Sequence, residues 1–188
     1  MTKEKLIEKY RDCNVDGYDW WDHVYENFRV DLAEEGFEVD DIHFDGFYHQ
    51  GSYADFTGKI KDVPLFMQKN KMVETFPATY KLAVEGGIQI YKSEGGRQRA
   101  SCVDVDVNDW QYYLSHDMDE EMRAYYIRLY QANTDIEFIS FEQCVKDALY
   151  RHAKDLYRTL MQEYEYLCSD EAVWETIQSN EWDKEEVA

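Results

Sequence analysis

The chain has 188 residues, with 40 acidic and 20 basic side chains and a formal net charge of −20. This charge repels phosphate and therefore excludes a protein that binds DNA or RNA through a basic face. A hydrophobic content of 44%, with 16% aromatic residues, is enough to build a core and excludes a disordered acidic chain. We therefore expect one folded domain over residues 1–180 and an acidic tail over residues 181–188.

The first segment of the chain predicts two helices. Apolar residues on one side favour a short amphipathic helix over residues 2–11. A second helix is predicted over residues 19–35, where apolar residues recur at helical spacing. Asp19 is the expected N-cap of this helix, and Gly36 is expected to end it as the C′ residue.

The pattern then changes from helical spacing to the alternation typical of strands. Residues 41–48 and 54–60 predict one β-hairpin, and residues 87–91 and 99–107 predict a second. The glycines of the first hairpin are expected to mark bulges or close packing. Residues 64–84, between the hairpins, are predicted to be helical in part.

The C-terminal third of the chain predicts helices. One is expected to open at Asp117, and a longer one at Ser140, which forms a capping-box pattern with Gln143. A last helix is expected to start at Ser169 or Asp170. The predicted fold class is α+β, with a four-stranded antiparallel sheet from two hairpins, several helices packed on one face and a helical C-terminal third.

No segment of the sequence has the properties of a membrane anchor, a signal peptide or a cysteine-based zinc or redox motif. Apolar runs fall short of the roughly 18–20 residues that cross a bilayer. The cysteines at 13, 102, 144 and 168 are far apart and lack the close pairs of zinc or redox motifs. We therefore expect a cytoplasmic protein with no cofactor, no metal and no membrane partner.

The acidic excess lies in the two flanks of the chain. Residues 1–60 hold 15 acids against 6 bases and residues 109–188 hold 19 against 7, whereas residues 61–108 hold 6 against 7. An acidic helical surface can simply be solvated, or it can imitate a polyphosphate and bind a basic protein surface. The second interpretation places the partner-binding carboxylates at Glu34, Glu35, Asp40, Asp41, Asp119, Glu120 and Glu121.

The nearly neutral middle of the chain suggests an alternative function, the sequestering of a small anionic ligand such as a nucleotide. Aromatic side chains would stack on a base while lysine and arginine bind phosphate. The sequence contains no Gly-rich phosphate loop or dinucleotide fingerprint. The candidate ligand-binding residues are His43, Asp45, Tyr48, His49, Gln50, Tyr53, Tyr91, Lys92, Arg97 and Arg99.

A second alternative is a metal-dependent hydrolase. Histidines and carboxylates on the outward sides of the hairpins could hold a divalent metal or act as general acid and base. This group comprises His43, Asp45, His49, Asp55, Asp104 and Asp106. Alternation places polar residues on any solvated sheet face, so the pattern has little specificity. His152 and the pair Trp20–Trp21 are expected to belong to the core.

Three segments resemble a family of uncharacterised bacteriophage and mobile-element proteins, loosely labelled antitoxin-like. They are YDWWDHVYENF (18–28), DDIHFDGFYHQGSYADFTG (40–58) and EYEYLCSDEAVWETIQSNEW (163–182). The family typically has a Gln-Gly-Asp-Gly turn in the second segment, where this chain has Gln50 and Gly51 followed by Ser52 and Tyr53. Any activity that depends on the carboxylate of that turn is therefore in question here.

This resemblance implies a phage-type accessory protein in a bacterial cytoplasm. Together with the acidic flanks, it leads to the expectation of a non-catalytic protein that binds and inhibits a host or defence protein with a basic surface. Nucleic-acid mimicry is one way in which such a surface can act.

Overall fold

The computed structural model describes residues 1–17, 19–48, 50–95, 102–107 and 136–182. These residues form six helices and four strands, which confirms the α+β class and the helical C-terminal part. The predicted helix from Asp117 and the acidic tail lie outside the described residues. In chain order the elements are α1 (Lys3–Lys9), α2 (Asp22–Glu34), β1 (Phe37–Phe44), β2 (Ala54–Ile60), α3 (Val63–Lys69), α4 (Pro77–Val84), β3 (Ile88–Lys92), β4 (Val103–Val107), α5 (Ile136–Leu167) and α6 (Asp170–Ser179).

The four strands form one antiparallel sheet in the order β1-β2-β3-β4. Its register pairs Ile42 with Phe56, Ile60 with Ile90, and Ile90 with Val105. These residues point to one face, where helices α2 and α5 cover them. The two hairpins of the sequence therefore join through β2 and β3.

A β-bulge interrupts the pairing of β1 with β2 between Val39 and Asp41. Gly58, opposite Val39, has φ +154°, and a Cβ built there would lie 2.1 Å from the carbonyl oxygen of Glu38. No side chain fits at this contact. The expectation that a glycine of this hairpin marks close packing is confirmed at Gly58.

Two predicted helix starts are wrong. Helix α2 begins at Asp22, so Asp19 is not its N-cap. Residues 19–22 instead form a turn before the helix, in which the Asp22 N–H donates to the Asp19 carbonyl at 3.0 Å. Helix α5 begins before Ser140, so the pattern of Ser140 and Gln143 is not a capping box. Gln143 instead donates to Asp147 at 2.8 Å, one turn later. A polar pair at this spacing fits a solvated helix face as well as a cap.

Two other predicted helix boundaries are confirmed. Gly36 follows α2 with φ +87°, and its N–H donates to the Ala33 carbonyl in the last turn of the helix at 3.0 Å. The Ser169 hydroxyl accepts the Ala172 N–H at 3.2 Å and caps α6. Both motifs satisfy backbone groups that a helix end leaves unpaired.

The main core lies between the sheet and helices α2, α3, α4 and α5. Helix α5 contributes an apolar stripe that repeats every three or four residues, as an amphipathic helix requires. Its fully buried members include Phe141, Val145, Leu149 and Leu160. Trp20 and Trp21 are partly buried against this core, which agrees with their expected structural role.

A second, smaller core joins the two ends of the chain. Leu6 and Ile7 of α1 pack against Val173 and Ile177 of α6, and all four are at most 5% exposed. We call this group the terminal core. Arg11, which follows α1, connects the terminal core to the end of α5. The Arg11 guanidinium donates to the Cys168 carbonyl at 3.1 Å and to the Asp170 carboxylate at 2.5 Å.

Within the described residues, no helix combines the length and the apolar character needed to cross a bilayer. Helix α5 is long enough, but charged residues recur along it. The four cysteines are partly exposed, and none of them forms a disulfide.

Candidate functional site

A cleft of about 650 Å³ lies between helices α2 and α5. We call it the α2/α5 cleft. Its size is within the range typical of ligand-binding pockets. The lining residues are His23, Val24, Asn27, Phe28, Asp31, Leu32, Glu34, Glu35, Lys69, His152, Asp155, Leu156, Thr159 and Glu163.

Two histidine–glutamate pairs cross the cleft from one helix to the other. His23 Nε2 of α2 lies 3.5 Å from Glu163 Oε1 of α5, and His152 Nε2 of α5 lies 3.2 Å from Glu35 Oε2 at the end of α2. The first turn of α2 therefore lies beside the C-terminal part of α5, so the two helices run antiparallel. From His152 to Glu163 the helical rise gives a cleft length of about 16 Å.

Glu35 is held in place by a third residue. The Asn70 side-chain amide, just after α3, donates to Glu35 Oε2 at 3.0 Å and also to the Phe66 carbonyl at 3.1 Å. His152 and Glu35 are about three-quarters buried, with side chains 22% and 26% exposed. This end of the cleft is therefore more buried and more extensively hydrogen-bonded than the other end, where the His23 side chain is 54% exposed.

The cleft combines a negative rim with a shallow apolar floor. Five carboxylates line it, against one lysine and two histidines. The floor residues Val24, Leu32 and Leu156 are at most 4% exposed, whereas Phe28 beside them is partly exposed and offers apolar surface to a ligand. The field between the rims attracts cations.

The hydroxyl and imidazole groups described in the cleft have partners within the protein. Among its described lining residues there is no cysteine or serine, and Thr159 donates its hydroxyl to the Asp155 carbonyl at 3.0 Å. The two imidazoles face carboxylates that bind them across the cleft. An activated nucleophile of the kind that covalent catalysis uses is therefore not formed by these residues.

The predicted partner-binding carboxylates separate into different places. Glu34 and Glu35 line the α2/α5 cleft. Asp40 and Asp41 are exposed at the β1 bulge, where Asp41 Oδ1 accepts the Ile42 N–H at 2.8 Å. Asp119, Glu120 and Glu121 lie outside the described residues.

Several of the predicted nucleotide-binding residues do not face a common surface. Lys92 is 3% exposed, and its ammonium donates to the buried Asp55 at 2.6 Å, so it does not present a charge to solvent. Tyr91 is exposed on the opposite face of β3 and donates to Gln89 at 2.6 Å. His49, Arg97 and Arg99 lie outside the described residues.

The other predicted ligand residues lie in or beside the loop after β1. Tyr53 donates its hydroxyl to Glu94 at 3.0 Å, and this hydrogen bond, together with burial, raises the pKa of the phenol. Tyr48 is 73% exposed with φ +61°. Asp45 and Gln50 are exposed in the same loop, while His43 on β1 is partly buried.

The predicted metal-binding group is not assembled. Asp55 is buried against Lys92, and Asp104 lies on β4, three strands from His43 on β1. Three strand spacings correspond to about 14 Å, which is beyond the reach of one metal ion. Across the described ranges, no group of three His, Cys, Asp or Glu side chains is placed to hold a metal.

Sequence reasoning missed most of the cleft. His152 was expected in the core, but it lines the cleft beside Asp155. The sequence does contain a pattern that includes some of these residues. On both helices a polar residue directly precedes an apolar residue of the cleft floor, as in Asn27–Phe28, Asp31–Leu32 and Asp155–Leu156. The pairing of the two helices, which no local pattern records, is what makes this signal meaningful.

None of the curated proteins and none of the solved structures matches this chain. Residues 20–170 match the family model described as a domain of unknown function, DUF8835. The matched range contains the sheet, the main core and the whole α2/α5 cleft, and it leaves α1 and nearly all of α6 outside. The chain therefore belongs to the DUF8835 family.

Proposed function

We propose that the protein is a non-catalytic binding protein that holds a basic segment of a partner protein in the α2/α5 cleft. The observation that carries this proposal is the composition of the cleft, with five carboxylates around an apolar floor. Glu34 and Glu35, two of the carboxylates expected to contact a partner, belong to this cleft.

The arrangement of charge favours a basic protein segment over a single small cation. The carboxylates are spread along about 16 Å of two helices, so several lysine or arginine side chains are needed to neutralise them. The aliphatic stems of such side chains can lie along the shallow floor while their charged ends reach the rims. The remaining negative charge of the molecule accelerates the encounter with a basic partner.

The test is capture of partners from bacterial lysate by the tagged full-length chain at low and at high ionic strength. The cleft variant carries Asp31→Lys and Glu34→Lys, both on exposed positions of α2. The matched control carries Asp104→Lys and Asp106→Lys, which make the same change in net charge on exposed positions of β4. Partner capture should fall at high ionic strength and with the cleft variant, and persist with the control.

Two results would contradict the proposal. One is that no protein is retained at low ionic strength. The other is that the cleft variant and the control lose the partner to the same extent, which would assign the binding to overall charge.

The narrower proposal is that the partner is a host or defence protein and that binding inhibits it. The support for it is the resemblance of three segments to phage and mobile-element proteins. An activity assay of the captured partner with and without added protein decides this point, since a binding protein without an inhibitory role would leave the activity unchanged.

A further inference from the structure

The terminal core brings together two cysteines that are far apart in the sequence, Cys13 and Cys168. Cys13 packs against this core, and two hydrogen bonds on either side of it reach the end of α5. The Arg11 guanidinium donates to the Cys168 carbonyl at 3.1 Å, and the Asn14 side-chain amide donates to the Leu167 carbonyl at 2.9 Å. The segment around Cys13 is therefore fixed along the C-terminal end of α5, with Cys13 between the two attachment points.

The side chain of Asn14 also orients the Cys13 thiol. Its carbonyl oxygen accepts the thiol hydrogen at a sulfur–oxygen distance of 3.6 Å and the hydroxyl hydrogen of Thr176, on α6, at 2.7 Å. The same side chain binds the Leu167 carbonyl through its amide group. The thiol is thus directed to the part of the molecule in which α1, the end of α5 and α6 meet.

The two thiols are close enough for their charges to interact. Burial raises the pKa of the Cys13 thiol, and negative charge on Cys168 raises it further. Burial likewise raises the pKa of the Cys168 thiol. Both thiols are free and both cysteines are partly exposed, so a small oxidant can reach them. Two accessible thiols on segments that are fixed together are the arrangement from which an intramolecular disulfide forms.

We propose that Cys13 and Cys168 form a reversible disulfide, which ties α1 to the end of α5 and closes the terminal core under oxidising conditions. The oxidant is a low-molecular-weight disulfide such as oxidised glutathione. The thiolate of one cysteine attacks this disulfide, forms a mixed disulfide and releases one glutathione. The thiolate of the other cysteine attacks the protein sulfur of the mixed disulfide and releases the second glutathione. The protein loses two protons and two electrons, which convert one glutathione disulfide into two thiols.

The disulfide changes the stability of the terminal core and leaves the main core as it is. Among the described residues, the two cores have no buried residue in common, so the terminal core can open by itself. A bond between Cys13 and Cys168 keeps the attachment points of α1 and α6 together while these helices are open. It thereby lowers the entropy that the chain loses when they close again.

The test is incubation of the full-length protein with oxidised and reduced glutathione, followed by mass spectrometry of its non-reduced peptides. We expect an intramolecular link between the peptides of Cys13 and Cys168, which an excess of reduced glutathione removes. Cys13→Ser should abolish this link, and Cys144→Ser, a matched control on α5, should retain it. Because the pKa of both thiols is raised, link formation should accelerate about tenfold from pH 7 to pH 8, in step with the thiolate fraction.

Hydrogen exchange measures the effect of the bond on the terminal core. In the oxidised protein the amides of α1 and α6 should exchange at least about tenfold more slowly than in the reduced protein, while those of the sheet are unchanged. The Cys13→Ser protein should exchange like the reduced protein with either form of glutathione.

Three results of the mapping would overturn the disulfide. They are no link between Cys13 and Cys168 in the oxidised protein, glutathione that stays attached to either of them, and links to Cys102 or Cys144 that are equally abundant. A Cys13–Cys168 link that leaves exchange in α1 and α6 unchanged would overturn its role in closing the terminal core.

Discussion

At the scale of single residues, the contact of Lys92 with Asp55 is the most deeply buried ion pair in the described part of the protein. Its two side chains are 1% and 0% exposed. The second carboxylate oxygen of Asp55 accepts the Gly95 N–H at 2.9 Å, and the Lys92 ammonium lies 4.7 Å from the Phe56 ring centroid. Each charge therefore has partners that offset part of its desolvation.

Removing the lysine alone should strongly destabilise the fold. We expect Lys92→Met to lower the free energy of unfolding by about 3–5 kcal/mol, because it leaves the Asp55 carboxylate buried without a counter-charge. The double variant Lys92→Met/Asp55→Asn should recover part of this loss, since the amide oxygen of asparagine can still accept the Gly95 N–H. Urea unfolding of the three proteins measures the effect. A loss below about 1 kcal/mol in the single variant would contradict the predicted cost of leaving the carboxylate without a counter-charge.

At the scale of elements, α5 connects the parts of the molecule. Its 32 residues supply buried residues to the main core, one wall of the α2/α5 cleft, and the end to which Arg11 binds. Among the residues that the structure describes, the terminal core shares no buried residue with the main core. The match of the DUF8835 family ends at residue 170, where α6 begins.

The separation of the two cores predicts local rather than global unfolding. We expect Ile177→Ala to destabilise the terminal core by about 2–5 kcal/mol through the cavity that it leaves. Hydrogen exchange should then accelerate at the amides of α1 and α6, while those of the sheet and of the first half of α5 keep their protection.

The matched control is Leu149→Ala, a substitution in the main core. It should accelerate exchange throughout the sheet and α5. If Ile177→Ala accelerates hydrogen exchange of the sheet as much as Leu149→Ala does, the two cores unfold as one unit. That result would contradict local unfolding and would agree with a single cooperative domain over residues 1–180.

At the scale of the whole molecule, a net charge of −20 opposes compaction through self-repulsion. Salt screens this repulsion, so Tm should rise between low and moderate ionic strength. NaCl and choline chloride at equal ionic strength should act alike if screening is the cause, and differential scanning calorimetry measures both. A rise with NaCl alone would point to specific ion binding instead.

The sequence by itself determined the fold class, the number of strands and most of the helices, but it placed the first strand over residues 41–48, whereas β1 runs over Phe37–Phe44. Apolar residues such as Ile42 and Phe56 recur every two residues in a strand, and residues such as Leu149 recur every three or four residues in a helix. This spacing depends only on neighbouring residues and indicates which side of the element is buried. Helix starts were less certain, because the pattern of Ser140 with Gln143 is compatible both with a cap and with a helix interior. Total charge and its concentration in the flanks were likewise readable without the structure.

Only the tertiary structure decided where the functional groups meet. In the folded protein Lys92 is buried, and His43 and Asp104 lie on opposite edge strands of the sheet. His23 contacts Glu163, and His152 contacts Glu35. These outcomes depend on the pairing of β2 with β3 and on the antiparallel packing of α2 against α5. Contacts between residues more than a hundred positions apart leave no local periodic trace, because side-chain spacing along one element records only which face is buried and not what covers it.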